Sequence, residues 1–273
     1  ILKGRLSLKK MILSPTSTKI QSIYNPDVTY VTTDEPAESV GRIMQKYDLV
    51  AIPVVDSIGR LVGRITIDDV VDVIREEAEK DYQMMSGISQ DVESSDTIWD
   101  QTKARLPWLI IGLFGGMLAA YMISFYEADI ALFPATAMFI PVITAMGGNV
   151  GIQSSAIVVK GLASNTLTSK NILQSISKEI SCAVINACIC SSIIFILSLC
   201  FNLTSLAMPI TVTISLFIVI MFASMFGTAF PLLLNKLKID PALATGPFIT
   251  LTNDIIGLNI YLFTGKAILG WLL

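Results

Sequence analysis

Between Ile180 and Asn235 the chain carries not one charged side chain. That run constrains the fold more than any other feature. Crossing a hydrocarbon core of about 30 Å takes about 20 helical residues, so the run has room for two membrane spans. These stretches read as helical spans. The chain as a whole is 53% hydrophobic and only 15% charged, and its mean hydropathy is +0.67. Most of the charge lies in residues 1–105. A small soluble part followed by a membrane part is the expectation.

The soluble part alternates strand-like and helix-like pieces. Asp34-Glu35-Pro36 opens a helix running through Gln45, with proline suited to the first turn. Val50 to Val55 is a short buried-strand pattern, Asp56 to Gly59 a turn, and Arg60 to Ile65 a second strand. Thr66 and Asp68 offer caps for a long acidic helix ending near Met85. Residues 86–100 are polar and read as a linker, and Trp99, Lys103, Arg105 and Trp108 are interfacial anchors. The chain begins Ile1-Leu2-Lys3 without methionine. It reads as a fragment lacking an N-terminal region.

Five apolar stretches follow, at 106–125, 130–159, 180–201, 207–234 and 243–268. Pro141, Gly227 and Pro231 mark expected kinks or tilts. Lys103 and Arg105 precede the first stretch. Lys160, Lys170 and Lys178 follow the second, and Lys236 and Lys238 follow the fourth. The intervening loops carry Glu127 and Asp129 or no charge, and only the tail residue Lys266 breaks the alternation. By the positive-inside rule the N-terminal part is cytosolic and the C-terminus lies outside a cell inner (plasma) membrane.

Several functions are excluded or disfavoured. There is no histidine, hence no histidine metal site, proton relay or Ser-His pair, and no nucleophile–base set points to an enzyme. No basic run suits nucleic acid. Cys182, Cys188, Cys190 and Cys200 all fall in one apolar stretch and read as lipid- or helix-packing residues.

Two features carry chemistry. Asp254 stands about mid-way along the fifth stretch. A charge at that depth costs roughly 2.5–3.5 kcal/mol on the lenient insertion scale, so it should face protein or water. Gly246, Thr250, Asp254, Gly257 and Tyr261 recur at helical spacing with Asn253 beside them, as one polar, small-residue stripe. A buried structural acid is the alternative. The second feature is Gly147-Gly148-Asn149-Val150-Gly151-Ile152-Gln153. Its glycines suit close helix approach or backbone opening toward a cavity, and Asn149 and Gln153 share a face at i, i+4. A carboxylate among neutral oxygens suits a hard cation, and Mg²⁺, reluctant to shed water, is often held by one or two carboxylates. The residues alone stop at a cation.

The combination resembles the MgtE family of magnesium channels. Pro141 to Gly161 is similar to the family's Pro…GGNxGxQ signature. Asp240-Pro-Ala-Leu-Ala, leading to Asn253-Asp254-Ile-Ile-Gly257-Leu-Asn-Ile-Tyr261, resembles its last helix. LPWLIIGLFGG in the first span is the third match. Tyr47 to Asp56 and Gly59 to Asp69 resemble a second CBS repeat, and residues 1–24 the end of a first. The division implied is 1–24, a second repeat at 25–69, a plug helix and linker at 70–100, and a five-helix pore domain at 101–273. The resemblance implies an α-helical polytopic membrane protein with a partial cytosolic α/β CBS domain. It also implies a homodimer in the lipid bilayer, with its pore on the two-fold axis. Asp254, Asn253, Thr250, Asn149, Gly148 and Gln153 would line that path, two copies of Asp254 facing one hydrated Mg²⁺ that enters the cytosol down its electrochemical gradient. Regulatory Mg²⁺ would bind Glu38, Asp48, Asp69, Asp72, Glu77 and Asp81 and hold the pore shut. Lys80 departs from the family's acidic pattern. Whether ATP binds the CBS part stays open. An ion-coupled secondary transporter and a membrane-anchored CBS nucleotide sensor are the competing functions. The first would show an inverted repeat, and the second has no need of Asp254.

Overall fold

The computed structural model describes residues 1–89, 92–164, 166–167, 171–200, 206–244 and 246–272. Lys170, one of the orientation charges, lies outside them. The chain forms two compact units, Ile1–Lys80 and Asp81–Leu273.

In the first unit, helix α1 (Leu8–Leu13) and a 3-10 turn (Ile20–Ser22) precede a three-stranded sheet. Its order is β1 (Val31–Thr32), β2 (Ala51–Val55), β3 (Leu61–Thr66), with β1 parallel to β2 and β2 antiparallel to β3. Asp56 makes the hairpin turn: its Oδ1 accepts from the backbone N–H of Ile58 and Arg60, and Gly59 takes φ +77°. Helix α2 (Ala37–Lys46) starts after Pro36, as the sequence predicts. It packs through Val40 and Met44 on Val31, Ile52 and Val70, the buried core of this unit. Gly41 admits Val70 of helix α3 (Ile67–Met85), which a β-carbon there would meet at 3.3 Å.

The second unit is helical. Helix α4 (Ile98–Ser124) begins well before the expected 106, because Thr97 caps it by accepting from the Asp100 N–H. Short α5 (Glu127–Leu132) sits where the second span was expected to begin, and α6 (Ala135–Ala163) carries the glycine motif. Helices α7 (Ile172–Leu199) and α8 (Ala207–Lys236) follow, then a 3-10 turn (Pro241–Ala244) and α9 (Pro247–Leu272). Helix α7 starts eight residues earlier than expected, which brings Glu179 into it.

Among the described residues, α4, α6, α7 and α8 are long and apolar enough to cross a membrane. The fifth expected span corresponds to α9, which has 26 residues. It packs against α4, α6 and α8. The protein is a helical polytopic membrane protein with a small mixed sheet in its first unit.

The core of this unit runs through α6, α7, α8 and α9, with Phe139, Ile143, Ala187, Leu216, Ile220 and Leu258 buried within it. Phe222, Phe226 and Phe230 stack along α8 and end on Phe248 at 4.6 Å, bedding the start of α9. Lys266, the exception to the charge alternation, pairs with Asp129 Oδ2 at 3.0 Å. The pair carries no net charge.

Candidate functional site

Helices α6 and α9 run side by side on glycine. A β-carbon at Gly151 would lie 2.3 Å from Asn253 Nδ2 and 2.6 Å from Ile249 Cγ2. One at Gly147 would meet Asn253 Cβ at 3.6 Å, and one at Gly148 would meet Thr250 Cγ2 at 3.6 Å. On its other side Gly151 meets α8, where a β-carbon at Gly227 would fall 2.4 Å from the Gly151 carbonyl oxygen. The glycines of the motif are thus consumed in helix packing. Asn149 and Gln153 occupy the opposite, exposed edge of α6.

The buried line on α9 reads Ile249, Asn253, Gly257, Tyr261, Gly265 and Leu269. A four-residue step is longer than the 3.6-residue turn, so this line winds slowly around the helix. Asn253 is fully buried within the chain, and its amide atoms have no hydrogen-bond partner among the described residues. Tyr261 is also fully buried and donates to the Thr136 carbonyl on α6 at 2.8 Å. The expected single stripe therefore divides. Asn253, Gly257 and Tyr261 face the interior of the helical unit. Asp254, about 100° further round from Asn253, is half-buried to the side of that line.

Asp254 is seven residues from the first residue of α9, about 10 Å along the axis. It lies nearer that end than the mid-way position expected. Among the described residues its carboxylate makes no hydrogen bond or ion pair. Thr250, one turn away, spends its hydroxyl on the Gly246 carbonyl at 3.1 Å. The resulting arrangement is an unneutralised acid on a membrane-unit helix, next to the α6–α9 seam. Asn149 and Gln153 are open on the neighbouring helix.

One acid escaped the sequence reading. Glu179 on α7 accepts from Ser154 Oγ of α6 at 2.6 Å and from Ser224 Oγ of α8 at 3.1 Å. The signal was present: Glu179 directly precedes the charge-free run. Starting that span at 180 hid it.

The acids expected to hold a regulatory ion do not gather within one chain. Among the described residues no group of three or more Asp, Glu or Cys side chains could hold a metal. Glu38 pairs with Arg42 at 3.6 Å, and Glu77 with Lys80 at 4.0 Å. Asp69 accepts from the Thr66 N–H and hydroxyl at 2.9 and 2.7 Å, which hold its carboxyl below the usual aspartate range. Asp48 holds a left-handed turn at φ 50° after α2. Asp72 is exposed on α3, and Asp81 is half-buried nearer its end. The first unit also contains a cleft of about 600 Å³ lined by Arg5, Asp27, Thr29, Tyr47 and Arg64 among others.

Residues 140–264 match the MgtE family, described as divalent cation transporter, and residues 20–76 match the CBS domain. The chain is similar to "Magnesium transporter MgtE" of Bacillus subtilis (strain 168), 36% identical over 260 residues, covering 95% of this chain and 57% of that protein. It is similar to the protein of that name from Thermus thermophilus, 33% identical over 274 residues, covering 98% of this chain and 60% of that protein. It also resembles, at 51% identity and a TM-score of 0.26, the "Crystal structure of the cytosolic domain of the Mg2+ channel MgtE in complex with ATP". That likeness covers 26% of this chain and 29% of the other. The chain spans 57% and 60% of the lengths of the two transporters.

Proposed function

Since the chain belongs to the MgtE family, whose members are transporters rather than enzymes, we propose that its membrane helices conduct Mg²⁺ into the cytosol down the electrochemical gradient. The observation that carries this is Asp254. A carboxylate on a membrane helix without a partner among the described residues is compensated by water or by a cation. Two copies facing each other across a dimer axis repel unless a cation sits between them. A hydrated divalent ion answers both needs, because Mg²⁺ keeps several waters and takes one or two carboxylates. Asn149 and Gln153, open on α6, offer amide oxygens and N–H groups to the waters of such an ion. Asn253 and Gly148 contribute by packing, not by contact.

The dimer places these exposed edges toward a second copy. In this reading the first unit and α3 lie in the cytosol and the C-terminus lies outside. The Lys266–Asp129 pair favours that orientation, since it removes the one contrary charge. Gating is by cytosolic Mg²⁺. The acids of α2 and α3 do not form a cage in one copy, so a regulatory ion needs acids from a second surface. The end of α3 is well placed to act on the pore helix: a β-carbon at Gly246 would lie 2.2 Å from the Met85 carbonyl oxygen. Adenine nucleotide suits the cleft of the first unit, with Arg5 and Arg64 for phosphates and Tyr47 for stacking.

Liposomes carrying an internal Mg²⁺ indicator test the channel reading. Influx should follow the Mg²⁺ gradient and membrane potential, and should not change when proton and Na⁺ gradients are collapsed. Influx abolished by collapsing either of those gradients would establish a coupled transporter instead.

A further inference from the structure

Three side chains from three helices meet beside the seam. Glu179 Oε1 of α7 accepts from Ser154 Oγ of α6 and Ser224 Oγ of α8, and the two serine oxygens are 3.1 Å apart. Ser154 and Ser224 are buried, and Glu179 is half-buried. Among the described residues Glu179 has no cationic partner. An acid here is costly, and the ion path proposed above has no use for it, because α7 packs on α8 and not on α9.

The surroundings of the cluster show what it does. One turn away, Gly227 of α8 lies against the backbone of Gly151 of α6. Backbone-to-backbone contact without side chains has no knobs to lock rotation or register. Ser154 is three residues beyond Gly151, and Ser224 is three before Gly227. The hydrogen-bonded cluster therefore supplies the lock that the glycine contact lacks. A cation site suits the same oxygens less well. They sit at hydrogen-bonding separations of 2.6–3.1 Å, and both hydroxyls donate to the carboxylate.

We propose that Glu179 is a positioning residue for ion passage: by accepting from Ser154 and Ser224 it fixes the rotation of α6, and so the direction in which Asn149 and Gln153 face. This rests on the Mg²⁺-conduction reading. Hydration-shell recognition depends on where the amides point, so releasing α6 should relax the choice among divalent ions before it stops conduction.

The test measures Mg²⁺ and Ca²⁺ flux in liposomes for the wild type, Glu179→Ala, Glu179→Gln, Ser154→Ala/Ser224→Ala and Asp254→Ala, at matched amounts of folded protein. Losing hydrogen bonds to a charged acceptor should raise Ca²⁺ flux relative to Mg²⁺ by roughly tenfold in Glu179→Ala and in the double serine variant. Glu179→Gln keeps an accepting oxygen and should keep the wild-type ratio within about twofold. A fall of both fluxes in proportion, with the ratio unchanged, would reduce the cluster to a stabilising role. Glu179→Gln behaving like Glu179→Ala would show that charge matters and not the clamp. If Glu179→Ala does not fold, the glutamine and serine variants decide alone. Undiminished flux in Asp254→Ala would instead overturn the conduction reading, whatever the cluster variants do.

Discussion

Replacing Gly227 by alanine should be among the costliest single methyls added to the helices of the membrane unit. The added β-carbon would sit 2.4 Å from the Gly151 carbonyl oxygen and 3.1 Å from its Cα and carbonyl carbon. Such contacts essentially never fall below 3.0 Å, so α6 and α8 must part by at least several tenths of an ångström. The obstacle is backbone, which cannot swing aside as a side chain does. A gap of 0.5–1 Å forfeits roughly a quarter to a half of each dispersion contact along the seam. Overpacking typically costs about 1–3 kcal/mol, and alanine's helix propensity returns up to about 1 kcal/mol. The net loss should be about 1–2 kcal/mol. Gly112→Ala on α4 is the control, since a β-carbon there meets nothing within 4 Å. It should be neutral or stabilising by up to about 1 kcal/mol. Unfolding in mixed micelles, read by tryptophan fluorescence, compares the two. Equal stability of Gly227→Ala and Gly112→Ala would refute the claim that α6 and α8 touch backbone to backbone.

Tyr261→Phe should cost about 1 kcal/mol in the same assay, because the Thr136 carbonyl loses its buried donor. Asp69 ties the start of α3 to Thr66, and its lowered pKa fixes the sign of a pH effect. The stabilisation is present above the ordinary aspartate value of about 3.9 and is lost as pH falls through the lower folded value. The protection factor of the Thr66 amide, exchange corrected for its intrinsic pH dependence, should therefore fall at acid pH, and Asp69→Ala should show that lower protection already at pH 7. Lys266→Ala breaks an ion pair that is largely exposed on the lysine side, so stability should change by less than about 1 kcal/mol.

Much of this fold is legible because membranes simplify sequences. Charge-free runs and basic loops announced α6, α7 and α8, and the Asp56–Gly59 turn announced the β2–β3 hairpin. The boundaries were less visible. Capping by Thr97 drew α4 back into polar sequence, and α7 likewise begins in polar residues before its apolar run. The site was legible in part. Asp254 stands out by its cost, but Asn253 beside it turns inward, because α9 winds around its neighbours at a four-residue step. No pattern in one helix reveals that. Glu179 was missed for a related reason: its meaning lies in serines on two other helices, and isolated serines in apolar runs carry little signal.

Asp254 tests the central claim most directly. Mg²⁺ influx into liposomes should fall at least roughly tenfold in Asp254→Ala at equal amounts of folded protein. Asp254→Asn, which keeps the size and loses the charge, should fall similarly. Wild-type influx in the folded alanine variant would contradict the account, and Asp254 would then be a structural acid.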